Sequence, residues 1–279
     1  MAITTRDKLI DALGNNSSRI VLDKANIASV AAGNYVSLWR ATGQPGQGAI
    51  PAAAAVCSEA LVGSIQFTQQ TSPATSYGAW MSAQCSNSAM TLEIHDRLMH
   101  MGGLVGNVTT VQNPQLDINP SLAVSNLANR IGDANYSDIQ WWLEWYTATG
   151  GTAVTATVAV TYNDGTTGSL TGASLAATRP ASFMLPLNRQ IPAAASGKYI
   201  RAVNTVTLNA TTGTAGSFGV TATRLRMTLP LPLANMTQVA DWAALGLPEI
   251  YNSSCLFPIV VTSTTSTGTV RGGGKIAHG

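Results

Sequence analysis

The chain has 279 residues, of which 45% are hydrophobic and 10% charged, with a formal net charge of +2. That length allows one large β domain or two smaller ones with a full core, and an apolar chain of low charge is not intrinsically disordered. Average globular chains are about a quarter charged, so this surface is unusually neutral, it is poorly soluble when bare, and it carries no dense basic stripe for nucleic acid.

The first predicted element is a short helix over residues 4–13, with Leu9, Ile10 and Leu13 on one side and Gly14-Asn15 as its stop. Strands are expected at Ile20–Leu22 and Tyr35–Trp39, separated by a turn at Ala31-Ala32-Gly33-Asn34. The Gly/Pro-rich run from Ala41 to Pro51 reads as a structural loop, because it has neither the spacing nor the strand-to-helix setting of a phosphate-binding loop. Val62–Thr68 is a further strand candidate, closed by a polar turn over Gln69–Pro73. Between Ser88 and Met101, helical spacing (Met90, Ile94, Leu98, Met101) competes with alternation in Thr91–His95, and both readings stand. Asn119-Pro120 opens a predicted helix that carries Leu127 and Ile131 and stops at Gly132.

The most informative stretch is Trp141–Leu170. Val154, Ala156, Val158, Val160 and Tyr162 alternate with Thr155, Thr157, Ala159 and Thr161, as a half-buried strand requires. Asn163-Asp164-Gly165 then tolerates positive φ, so a tight reversal into a strand from Thr166 to Thr171 is predicted. Strands at Trp141–Thr149, Ser182–Leu187, Tyr199–Leu208 and Ser217–Met227 complete the spacing of an antiparallel β-sandwich over residues 139–228. A short helix from Asn235 through Trp242 and Leu245 to Gly246, a strand at Phe257–Thr262, and a Gly-rich tail after Thr269 that is a loose arm or an edge strand end the chain. The expected class is all-β, mainly an antiparallel jelly-roll-like sandwich with a few short helices. Its expected division is an N-terminal β-rich region over 1–110 and a sandwich with its tail over 111–279, with one continuous domain as the alternative.

Residues for chemistry are sparse. His95 and His100 do not fit HExxH or a Cys/His zinc spacing, and His278 lies in the tail. Glu144 stands alone among the tryptophans, whereas glycoside cleavage needs two carboxylates. Asp117, Asp133 and Asp138 lack the spacing of a calcium loop. Cys57, Cys85 and Cys255 form an odd set without a CxxC pair, which points to buried free thiols in a reducing compartment. No catalytic residue, cofactor or metal is expected. Trp141 and Trp145 fall on one face of their strand and Trp142 and Tyr146 on the other, so these rings, with Trp242, are candidates for core or subunit contact rather than for a sugar platform. No apolar run nears the ~20 residues of a membrane helix. The start Met1–Lys8 has no apolar core of a secretory signal, so neither a membrane partner nor export is expected.

Four segments, Tyr136–Tyr146, Ala153–Val158, Ser196–Val203 and Thr211–Thr221, resemble virion structural proteins of tailed bacteriophages, a likeness that covers mainly residues 110–270. The resemblance implies a β-sandwich component of head, neck or tail, made in the host cytoplasm, located in the virion and without a catalytic motif. A head decoration or minor capsid protein is the favoured role. It would be a homo-oligomer, a trimer or a ring, bound to the major capsid protein or other virion proteins. A neck, collar or tail ring or fibre component is the alternative, and a carbohydrate-binding, receptor-binding module the reading from another class.

Overall fold

The computed structural model describes residues 3–175 and 179–279, so the first two residues of the N-terminal reading lie outside the described residues. The fold is all-β, its sheets antiparallel, with a few short helices. It forms two compact units, and neither is one continuous stretch. The first holds Met1–Ala49, Ser58–Asp96 and Leu225–Gly279, the second Ile50–Cys57 and Arg97–Arg224. Residue 110, the end of the expected N-terminal region, lies inside the second unit.

In the first unit one sheet runs in the order Gln238–Ala240, Ser76–Cys85, Val270–His278, Ser17–Lys24, Gly43–Gln44. Val270–His278 is a central strand, with Ser17–Lys24 on one side and Ser76–Cys85 on the other, so the Gly-rich tail is neither a loose arm nor an edge. Leu256–Val261 pairs with Tyr35–Ser37 and with the first part of the long strand Met90–Leu104. Ile20, Leu22, Met81, Ala83, Leu92, Ile94, Val260 and Ile276 belong to the unit's core. The helix Arg6–Asn15 starts on Thr5, whose side chain accepts from Lys8 N–H, and packs Leu9 and Ala12 against Ala79 and Ala277.

The second unit is a sandwich. One sheet is ordered Thr167–Leu175, Val154–Tyr162, Ile200–Leu208, Leu116–Asp117. Facing it, Ile139–Thr147 pairs with Phe183–Pro186 and with the first part of Ser217–Leu231. Val154, Ala156, Val158, Val160 and Tyr162 point into the same core as Trp141, Leu143, Trp145, Phe218 and Val220. At the predicted hairpin tip, Gly165 takes φ +82° and the Asp164 carboxylate accepts from Thr166 N–H at 3.0 Å. Gly219 is needed for close approach, since a Cβ there would stand 2.0 Å from the Met101 carbonyl oxygen.

Several expectations are corrected. Val62–Thr68 is not a strand; Gly63 turns to φ +105° and Ile65 makes only an isolated bridge to Leu256. Of the two readings left open between Ser88 and Met101, the structure takes the strand, Met90–Leu104, which is buried on both faces for much of its length. The helix expected after Asn119 is reduced to 3-10 turns and the single turn Leu127–Arg130. The helix expected from Asn235 begins only at Trp242, because Gln238–Ala240 pairs with Ser76–Cys85 and Asp241 then caps Trp242–Leu245. Ser76–Cys85 itself is a strand that the sequence reading did not anticipate.

Candidate functional site

The tryptophan strand Ile139–Thr147 alternates its rings between two covered faces. Trp141 donates its indole N–H to the Ile200 carbonyl at 2.8 Å, and Trp145 stacks on Phe218 with centroids 5.4 Å apart. On the opposite face the Trp142 indole donates to Thr223 Oγ1 at 2.8 Å, and Tyr146 joins a polar cluster. All four side chains are buried, so none of these rings offers a face to a sugar. Trp242 differs: it is 39% exposed and lines a surface groove of about 330 Å³ with Leu13, Ala79, Trp80, Asp241 and Lys275.

Beside Trp142 lies a buried polar cluster of the second unit. Arg97 grips Glu144 with both guanidinium arms, at 2.6 and 3.2 Å, and donates from Nε to His100 Nδ1 at 3.0 Å. Glu144 also accepts from Thr221 at 2.6 Å and Tyr146 at 3.3 Å. Burial alone would pull the Arg97 guanidinium down, but the Glu144 carboxylate reverses this and holds it above its ordinary range. Burial, then Glu144, pushes the Tyr146 phenol up. Arg130, also buried, ties this strand down by donating to the Arg97 carbonyl at 3.0 Å and the Cys57 carbonyl at 2.7 Å. The cluster is closed to solvent and internally satisfied, which suits it to fixing strand register rather than to meeting a substrate. Sequence reasoning noted Glu144 but missed Arg97. The local signal was the run His95-Asp96-Arg97, three consecutive polar side chains that interrupt the alternation of Thr91–His95.

The remaining ionisable candidates are occupied locally. His95 contacts Glu93 at 2.8 Å, and Asp96 accepts from Ser254 and from Cys255 N–H. His278 sits between Ser18 at 2.7 Å and Ser76 at 2.9 Å, its pKa lowered by burial. Asp117 pairs with Arg201 and Asp138 with Arg224, whereas Asp133 caps Asn135 N–H. Cys57, Cys85 and Cys255 are free and buried. Among the described residues no group of His, Cys, Asp and Glu is placed to hold a metal.

A cleft in the first unit has a volume of about 410 Å³, with Arg19, Val21, Gln44, Leu61, Val62 and Ile65 among its lining residues. Lys24 lies buried in the strand that borders it. Its ammonium donates to the carbonyls of Ala41 (3.0 Å), Pro45 (2.6 Å) and Gly46 (3.3 Å), so it holds the loop with backbone dipoles instead of a carboxylate. Burial lowers its pKa from 10.5 to about 8. Below pH 8 the lysine is charged in both folded and unfolded chains, and the burial cost is complete. Between the two values the folded state sheds the proton that the unfolded state keeps, so folding gains with rising pH. Relative to Lys24→Met, the parent should therefore gain roughly 3 kcal/mol between about pH 8 and 10.5, read from denaturant melts. A difference that stays constant across that window would contradict it.

No family model matches the chain, and no curated protein matches it. Among solved structures, the infectious bursal disease virus VP2 subviral particle aligns at 10% identity over 94% of this chain and 79% of that one, with a TM-score of 0.16. The Gt strain of the same virus aligns at 10% identity over 96% and 86%, with a TM-score of 0.17. Scores this low establish no common fold, and no residue role is carried over from either.

Proposed function

We propose that the chain is a structural component of a virus particle of the tailed-bacteriophage type, and not an enzyme. Its favoured role is a head decoration or minor capsid protein that stabilises the shell through subunit contacts. The observation that carries this reading is a charge-poor surface bearing large apolar side chains. In the first unit alone Val21, Val62, Leu233, Met236, Val239 and Trp242 are exposed, in a chain with 10% charged residues. Such a surface gains free energy when neighbours cover it. The second unit supports the same reading from inside, because its buried ion pair and stacked aromatics make a rigid block rather than a reactive site. The glycan-binding alternative loses its main motive, since Trp141, Trp142 and Trp145 are covered.

The chain would be made and assembled in the host cytoplasm, as a homo-oligomer seated on the major capsid protein. Mass spectrometry of purified particles is expected to find it in copies comparable to the major capsid protein, with cryo-EM density on the outside of the shell at capsomer junctions. About a dozen copies would instead favour a neck or tail ring, as closed cyclic symmetry requires. Absence from the particle would refute the virion reading.

A further inference from the structure

The sheet of the first unit has two open edges, and their chemistry is complementary. On one side lies Ser17–Lys24. Ala25 N–H donates to the Thr42 carbonyl and Asp23 stands opposite Gln44, so the Asp23 backbone groups face Gly43–Gln44. By the two-residue period of a strand, the N–H and C=O of Val21 and Arg19 face the same way, off the sheet. Among the described residues no strand pairs with them there. Gly43–Gln44 covers the strand only at Asp23 and Lys24, and Thr68 N–H reaches Ser18 Oγ at 2.8 Å, so the opening is a short window over Arg19–Val21. That window looks into the 410 Å³ cleft, whose other lining includes Leu61, Val62 and Ile65.

At the opposite end Ser76–Cys85 is covered by Gln238–Ala240 over Met81–Ala83 and by Glu249–Ile250 over Ser76 and Tyr77, and the sheet stops there. The Trp80 and Ser82 carbonyls point at Val270–His278, so Met81 and Ala83 turn to Ala240 and Gln238, their partners. Val239, between them, therefore directs its own N–H and C=O outward. Its side chain is 60% exposed and the approach to it, Pro232–Thr237, is uncharged and exposed, with Leu233 and Met236 on it.

We propose that the chain associates with a second copy of itself by pairing the Gln238–Ala240 edge of one protomer, antiparallel, with the Arg19–Val21 window of the next. Three features specify this occupant. Placing Val21 opposite Val239 matches outward-facing backbone groups on both edges. The same register sets Arg19 opposite Asp241, an exposed acid. It also preserves the pleat, because Ile20, Leu22 and Ala240 belong to the core while Arg19, Val21, Val239 and Asp241 are on the solvent side. The short window suits a three-residue strand and excludes the long edge pairing that leads to aggregation. Since the two edges differ, the contact is head-to-tail and closes into a ring when the rotation allows.

This inference deepens the subunit-contact reading, but its test needs no virus, so the two fail separately. In sedimentation velocity the full chain should form concentration-dependent oligomers, and Val21→Asp or Val239→Asp should each abolish them. An equimolar mixture of the two variants should give dimers and nothing larger, because each retains one intact edge and the pair is capped at both ends. Far-UV circular dichroism and the thermal midpoint establish that the variants are folded, and Val21→Lys with Val239→Lys provides a second pair if an aspartate variant is not. A parent that stays monomeric at all concentrations, variants that associate like the parent, or a mixture that remains monomeric would each overturn the proposal.

Discussion

Glu144→Gln is expected to destabilise the protein by about 3–5 kcal/mol, the cost of leaving the buried Arg97 guanidinium without its counter-charge. Glutamine preserves shape and accepts one hydrogen bond, so the loss reports on charge rather than on volume. Arg97 has no route to water, since its side chain is fully buried, and unlike a lysine it does not escape by deprotonation. Removing both partners should be far milder. The double variant Arg97→Met, Glu144→Met replaces a desolvated pair with apolar side chains, a change that is often close to neutral. Its residual cost is the Thr221 and Tyr146 hydroxyls and the His100 ring nitrogen left without the partners they have here. Denaturant melts of the double-mutant cycle check this. A loss under 1 kcal/mol for Glu144→Gln, or additive effects in the cycle, would mean that water reaches the pair.

What the sequence made legible follows from how local each signal is. Val154–Tyr162 was readable because one of its faces is solvent, which leaves Thr155 and Thr157 polar between buried Val154, Ala156 and Val158. Asn163-Asp164-Gly165 was readable because a tight turn constrains its own residues. Met90–Leu104 left helix and strand both open because it is buried on both faces, so Asp96 falls on the apolar phase of the alternation, while Asp96 and Arg97 are buried on partners distant in sequence, Cys255 and Glu144. Ser76–Cys85 escaped notice for the opposite reason: Gly78, Ala79, Ser82, Ala83 and Gln84 have weak strand preference, and the strand exists through its neighbours on both sides. Val62–Thr68 alternates well enough to pass for a strand, yet Gly63 at φ +105° breaks it. The Arg97–Glu144 pair spans 47 residues and has no spacing rule to reveal it. The open edges are more remote still from sequence, because they depend on Val270–His278 entering the sheet between Ser17–Lys24 and Ser76–Cys85.

Trp145→Ala should cost about 3–5 kcal/mol, as the loss of a large aromatic from a packed core does. The ring is held between Phe218, nearly parallel at 15°, and Phe183, tilted at 59° with centroids 5.3 Å apart, and Arg179 stacks on the far ring at 4.2 Å from its centroid. Truncation therefore opens a cavity whose walls are aromatic and cannot collapse without breaking their own contacts. The three tryptophans of this strand separate on replacement by phenylalanine. The Trp145 indole N–H makes no hydrogen bond among the described residues, so Trp145→Phe removes a buried unpaired donor and should cost less than half as much as the alanine change. Trp141→Phe strips the donor from the Ile200 carbonyl, and Trp142→Phe the donor from Thr223, so each should carry roughly 1 kcal/mol more than Trp145→Phe. Thermal and denaturant melts of the series read the order directly. Equal losses for the three phenylalanine variants would show that ring volume alone sets the cost, and an unchanged Trp145→Ala protein would place that ring outside the core.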